Sequence, residues 1–238
     1  QFFNTPYAAS PANIGLFDGQ YRAGGVFRQQ WRSVTTPYRT FGFGGDAANL
    51  GGVTGLGAGL WLYNDRAGDS RLNTIHMSVG ASWTEKLGVL KDQSITGGLQ
   101  FGITSLSIDY DRLSFDAQYN GFYYDPSLSS NEQFNRDAFT HPDVHAGVIY
   151  RYTPTKGELV QAGFSLFNIT RPDVAFNGES SPLDGRSALH LLTRFPVSDK
   201  VDVQPMTQFM AQGKFREFIL GGSVRYILQD RYTYLRTL

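Results

Sequence analysis

The sequence predicts an all-β fold, a transmembrane antiparallel up-and-down β-barrel, and three observations predict it. Apolar and polar residues alternate with a period of two along most of the chain. The alternating stretches outrun the roughly 5–6 residues usual for a globular strand and reach the roughly 9–11 that a tilted strand needs to cross a bilayer. Charged residues make up only 18% of the 238 residues, while glycine numbers 27 and aromatics reach 14%; an ordinary soluble domain carries roughly 25% charge. Lipid cannot hydrogen-bond a free backbone group, so a sheet inside it must close on itself and turn apolar side chains outward.

Taken in order, strands are expected near 20–32, 37–48, 54–64, 72–85, 93–107, 110–119, 143–153, 158–169, 186–195, 200–211, 215–229 and 231–238, about twelve in all. The first sets Tyr21, Ala23, Phe27 and Trp31 against Arg22, Arg28, Gln30 and Arg32. Three arginines on one face suit a wet interior better than a dry core. From Thr74 to Thr84 the alternation is unbroken, with Ile75, Met77, Val79, Ala81 and Trp83 opposite Thr74, His76, Ser78, Gly80 and Ser82. Ile95, Leu99, Phe101 and Ile103 oppose Thr96, Gly98, Gln100 and Thr104; Val160, Ala162, Phe164 and Leu166 oppose Gln161, Gly163 and Ser165. Phe218, Leu220, Val224 and Tyr226 oppose Glu217, Gly221, Ser223 and Arg225. Aromatics gather near strand ends, as rings at headgroup level do. Two polar connections, Asn120 to Pro142 and Arg171 to Gly185, are long and are expected to project on one side, where long loops carry recognition. No segment shows helical periodicity. The whole chain reads as one domain, with 1–19 as an N-terminal periplasmic or plug segment.

Composition narrows the function classes. Lys+Arg and Asp+Glu balance at 21 each, so the broad basic field of a nucleic-acid binder is missing. No cysteine is present, which removes disulfide scaffolds, thiolate metal sites and cysteine nucleophiles. No apolar run approaches the length of a membrane-spanning helix. The start at Gln1 has no basic-then-apolar pattern, so any signal peptide is expected to have been removed from this numbering.

Candidate chemistry is sparse. Of the four histidines, His76, His141, His145 and His190, His141 and His145 share a face, but Pro142 and the lack of further nearby histidines argue against a metal pair. They are expected to be solvated imidazoles at a loop-to-strand junction. His190 with Ser187 is too common a combination to denote a nucleophile and its base. Gly42–Gly45 and Gly51–Gly55 lack the Lys-Ser/Thr continuation and helix of a phosphate loop, and serve strand bending. Asp109-Tyr110-Asp111 reads as a strand end with solvated acids rather than a calcium fragment. Arg22, Arg28 and Arg32 either select anions or pair with acids on neighbouring strands, and pairing is favoured. No catalytic, cofactor-binding or metal-ligating residue is assigned, and no cofactor.

The succession of local motifs resembles the PorP/SprF family of outer-membrane proteins associated with the type IX secretion system of Bacteroidota. The likeness runs through Phe2-Phe3-Asn4, Ser10-Pro11-Ala12-Asn13-Ile14-Gly15, Tyr21-Arg22 and Phe27-Arg28-Gln29-Gln30-Trp31. It continues through Gly55–Gly59 with Asn64–Gly68, Gly97–Gly102, Pro142-Asp143 before Gly147 and Tyr150, Ala162–Ser165 with Asn168 and Pro172, and Gly221–Tyr226. Ser10 stands where the family commonly has asparagine. The resemblance implies a fourteen-stranded barrel, so further closing strands or a partner strand are expected beyond the twelve. It also implies a non-enzymatic role in the outer membrane: binding or anchoring the C-terminal sorting domain of an exported cargo protein, or linking periplasmic lipoproteins of the machinery to the membrane. SprF-type members are tied to surface adhesins and gliding motility. A passive porin, an outer-membrane hydrolase and a soluble β-sandwich are the rival readings.

Overall fold

A computed structural model describes residues 6–33, 36–68, 70–132, 136–155, 157–176 and 180–228. Its described residues form one ten-stranded antiparallel sheet in strictly sequential order, curled into a half-barrel. The strands are β1 (Tyr21–Gln30), β2 (Tyr38–Ala47), β3 (Leu56–Ala67), β4 (Leu72–Leu87), β5 (Gln93–Ser107), β6 (Ala138–Tyr152), β7 (Leu159–Phe167), β8 (Arg186–Ser198), β9 (Val201–Gln212) and β10 (Phe215–Tyr226). Of the twelve expected strands, ten are found, and 231–238 lies outside the described residues. The stretch 110–119 is not a strand. It holds two 3-10 turns, Tyr110–Arg112 and Asp116–Gln118. Local bonds displace the ladder there: Arg112 pairs with Asp109 at 2.8 Å, and the Gln118 side chain accepts from the Phe115 amide at 3.1 Å.

The β6 boundary also moves. Expected to begin at 143, it begins at Ala138 and carries Pro142 within it. Proline lacks a ladder donor, but β7 pairs with β6 only from Ala146 onward, so nothing on that flank calls for the missing N–H. The Pro142 carbonyl takes the Thr170 hydroxyl instead, at 3.1 Å.

Burial is inverted relative to a water-soluble sheet. Along β5, Thr96, Gly98, Gln100, Gly102 and Thr104 are buried, while Ile95, Leu99, Phe101 and Ile103 are exposed. Phe101 is 56% exposed, Phe164 43% and Leu220 75%. The buried polar residues include Ser78, Gln161, Ser165 and Gln208, all facing the concave side. A sheet greasy outside and polar inside is stable where hydrocarbon meets its convex face.

The N-terminal segment crosses the concave side. A single helical turn, Pro6–Ala9, and a 3-10 turn, Pro11–Asn13, lead into a strap that crosses the inner wall. Ser10 and Ala12 are fully buried and Ile14 almost so. Ile14 packs on Trp61, flanked by Val26 and Tyr63, while Ala12 and Leu16 cluster with Ile149.

Candidate functional site

The strap fits because the wall beneath it is glycine. A Cβ on Gly98 would come within 2.5 Å of the Ala12 nitrogen, one on Gly147 within 2.6 Å of the Ser10 hydroxyl, and one on Gly80 within 2.5 Å of Ile14 Cδ1. Glycines on successive strands therefore form a trench that a side chain would close. Polar clasps fix the register. Asp46 Oδ2 accepts from the Gly15 amide at 2.7 Å, and Arg22 bridges Asp46, at 2.7 and 2.9 Å, and the Asn13 carbonyl, at 2.9 Å. The Ser82 hydroxyl donates to the Ile14 carbonyl at 2.5 Å, and the Gln161 amide reaches Asn13 Oδ1 at 3.3 Å.

The strap divides the inner space. On one side lies a cavity of about 700 Å³ that the strap lines at Ala8; on the other, a cavity of about 600 Å³ lined by Asp18, Arg151 and Arg194. The two ends of the sheet differ in their connections. Residues 88–92, 153–158 and 199–200 are short links at one end. The other end carries the long connections, 108–137 and 168–185, and the larger cavity lies beneath them.

These two loops dock on each other. Arg136 donates from Nε to the Ala175 carbonyl at 2.8 Å and stacks on Phe139 at 4.2 Å, and Phe139 meets Phe176 edge-on at 4.8 Å. Asp173 accepts from the amides of Ala175, at 3.0 Å, and Ser181, at 3.1 Å, which holds its carboxyl below the usual carboxylate range. Asp125 is likewise lowered by the hydroxyl and amide of Ser127. At the tip, Asn120 Oδ1 accepts from the amides of both Phe122 and Tyr123 at 3.0 Å, presenting Phe122 at 90% exposure.

The histidines are where sequence reasoning went astray. His141 and His145 are not solvated at a junction: both are buried on the inner face of β6, on either side of Asp143. His76 joins them from β4, its ring centroid 6.0 Å from that of His145. Thr104 donates its one proton to Asp143, so it can only accept from His76 Nδ1, which stands 2.8 Å away. His145 Nδ1 accepts from the Asn168 amide at 3.1 Å, leaving its proton on Nε2. His141 Nδ1 lies 3.3 Å from Asp143 Oδ1. Among the described residues no group of three such ligands is placed to hold a metal ion. His190 lies apart on β8, over Gly163. No sequence signal marked the cluster except the position of each histidine on the polar face of its strand.

Of the arginine strip, Arg22 pairs with Asp46, Arg28 lines the larger cavity, and Arg32 lies past the end of β1. Asp109 precedes a 3-10 turn and Asp111 lies within it, where a strand end was expected.

The family model described as type IX secretion system membrane protein PorP/SprF matches residues 1–234. The chain belongs to that family. No curated protein matches it. Membership makes the PorP/SprF chain a membrane component of the type IX secretion system, which accounts for the apolar convex face. The family is not a known enzyme family, and it implies contact with other secretion components.

Proposed function

We propose that this PorP/SprF protein is an outer-membrane recognition barrel. It holds the C-terminal sorting domain of an exported protein at its long-loop end and meets periplasmic lipoproteins of the machine at its short-turn end, with no bond made or broken. In outer-membrane barrels short turns are periplasmic and longer loops extracellular, which would put the docked loops and the larger cavity outside the cell. The observation that carries the reading is the strap: a barrel whose interior is occupied by its own buried segment suits holding better than passage. Co-purification from native outer membrane is the test. Secretion-system proteins and an exported client are expected with the barrel; recovery of neither would overturn the reading.

A further inference from the structure

The strand register sets two arginines against each other on the convex face. Arg39 of β2 and Arg66 of β3 are direct cross-strand partners, and both are exposed. Their neighbours in the register, Thr40 and Asp65, face the other way: the Thr40 hydroxyl donates to Asp65 at 2.6 Å, and both line the larger cavity on the concave side. The arginine pair lies at the rim. Arg39 is the second residue of β2 and Arg66 the last but one of β3. Across the same row Arg66 pairs with Asn73, and Asn73 with Ser107, from which the long 108–137 connection leaves. Among the described residues no carboxylate comes within ion-pair distance of either arginine. Like charges directly opposite each other on a sheet repel, and only near the interface is a lipid-facing charge cheap. One step deeper the same face turns apolar. Phe41 opposes Phe27, at 50% and 68% exposure, and the next row sets Phe43 against Leu62.

We infer that Arg39 and Arg66 together clamp the headgroup phosphate of a membrane lipid, whose acyl chains lie along Phe27, Phe41 and Phe43. An anion bridging the two guanidiniums removes their repulsion, and their forked donors match phosphate oxygens. Two positive charges suit a phosphomonoester, nearly doubly negative at neutral pH, better than the single charge of a phosphodiester. The apolar rows below select a lipid over a free anion, because hydrocarbon is the medium that the convex face meets. The inference rests on the proposed function for its leaflet: with the long loops outside the cell, the lipid belongs to the outer leaflet.

The test is native mass spectrometry of the full chain released from detergent micelles. The probes are phosphatidic acid and phosphatidylglycerol with the same acyl chains, a phosphomonoester and a phosphodiester. Phosphatidic acid is expected to bind at least about tenfold more tightly, the gain from one further charge-assisted hydrogen bond. Arg39→Gln and Arg66→Gln should each remove most of that preference, while the double variant Arg39→Lys, Arg66→Lys should keep part of it. Neither glutamine variant should melt lower than the parent in lipid-free micelles, since each relieves repulsion. Equal retention of the two lipids, or a preference unchanged in both glutamine variants, overturns the clamp. A lower melting temperature in both would mean that the arginines are bonded within the protein, and overturns it as well. Displacement of phosphatidic acid by an equal concentration of inorganic phosphate overturns the choice of a lipid over a free anion. If the lipids do not discriminate while a client co-purifies, the clamp falls and the recognition role stands. If the preference holds while nothing co-purifies, the role falls and the clamp stands.

Discussion

Asp46 is the single side chain on which most of the strap's polar hold converges. Its carboxylate is fully buried and accepts from both Gly15 and Arg22. Asp46→Ala would leave a largely buried guanidinium without its anion and orphan an amide, and breaking a buried pair from one side costs about 3–5 kcal/mol. With Arg22 27% exposed, we expect the lower end, about 3 kcal/mol, in urea unfolding from lipid vesicles. The double variant Asp46→Ala, Arg22→Met should lose less than the sum of the two single losses. Asp173 gives a prediction at the surface. Its carboxyl titrates lower folded than unfolded, so its contribution is complete above the ordinary aspartate value near about 4 and is lost as pH falls through the folded value. Hydrogen exchange of the Ala175 and Ser181 amides, corrected for intrinsic rates, should be flat from pH 8 to pH 5 and accelerate below it, and Asp173→Asn should abolish the dependence. At this scale the sequence was only partly legible. Alternation alone puts His141, Asp143 and His145 on one face of β6, but that His76 of β4 joins them at the buried carboxylate depends on register across β5, which alternation does not encode.

Among the elements, β5 separates inside from outside most cleanly. Gly97 and Gly98 are neighbours with opposite surroundings: a Cβ on Gly97 meets nothing within 4 Å, whereas one on Gly98 strikes the strap backbone. Backbone cannot swing away as a side-chain tip can, so Gly98→Ala should destabilise by about 1–3 kcal/mol, the usual range for overpacking, while Gly97→Ala should be neutral or slightly stabilising. Thermal unfolding in micelles of the two variants checks this. The periodicity that located β5 also located nine other strands, because a half-lipid, half-water environment writes itself into every second residue. It failed at 110–119, where alternation persists but the chain closes turns on its own side chains. It was also shifted at β6, where Pro142 reads as a breaker although it lies on a flank that β7 does not reach. Nor did the polar pattern identify the glycine trench: glycine in a strand signals bending as readily as the close approach of another segment.

For the whole molecule, the convex face and the strap make two separate demands. The convex face needs hydrocarbon. Phe101 is near the middle of β5, and a charge there would sit near the bilayer midplane, so Phe101→Arg should cost about 2–4 kcal/mol in folding into lipid vesicles. The strap demands that nothing flow. A channel conducts only where a continuous polar path runs from mouth to mouth, and here the space on the concave side is split by residues among the most buried in the protein, Ser10, Ala12 and Ile14. The glycine trench and the contacts of Asp46, Arg22 and Ser82 hold the strap against the inner wall between the residues that line the two cavities. The protein reconstituted in planar bilayers should therefore show no steady ohmic steps. Asp46→Ala, by loosening the clasp without touching the sheet's hydrogen bonds, should introduce intermittent openings. Stable conductance in the unmodified protein would mean that the strap leaves its trench in the membrane, and would favour a porin over a recognition barrel.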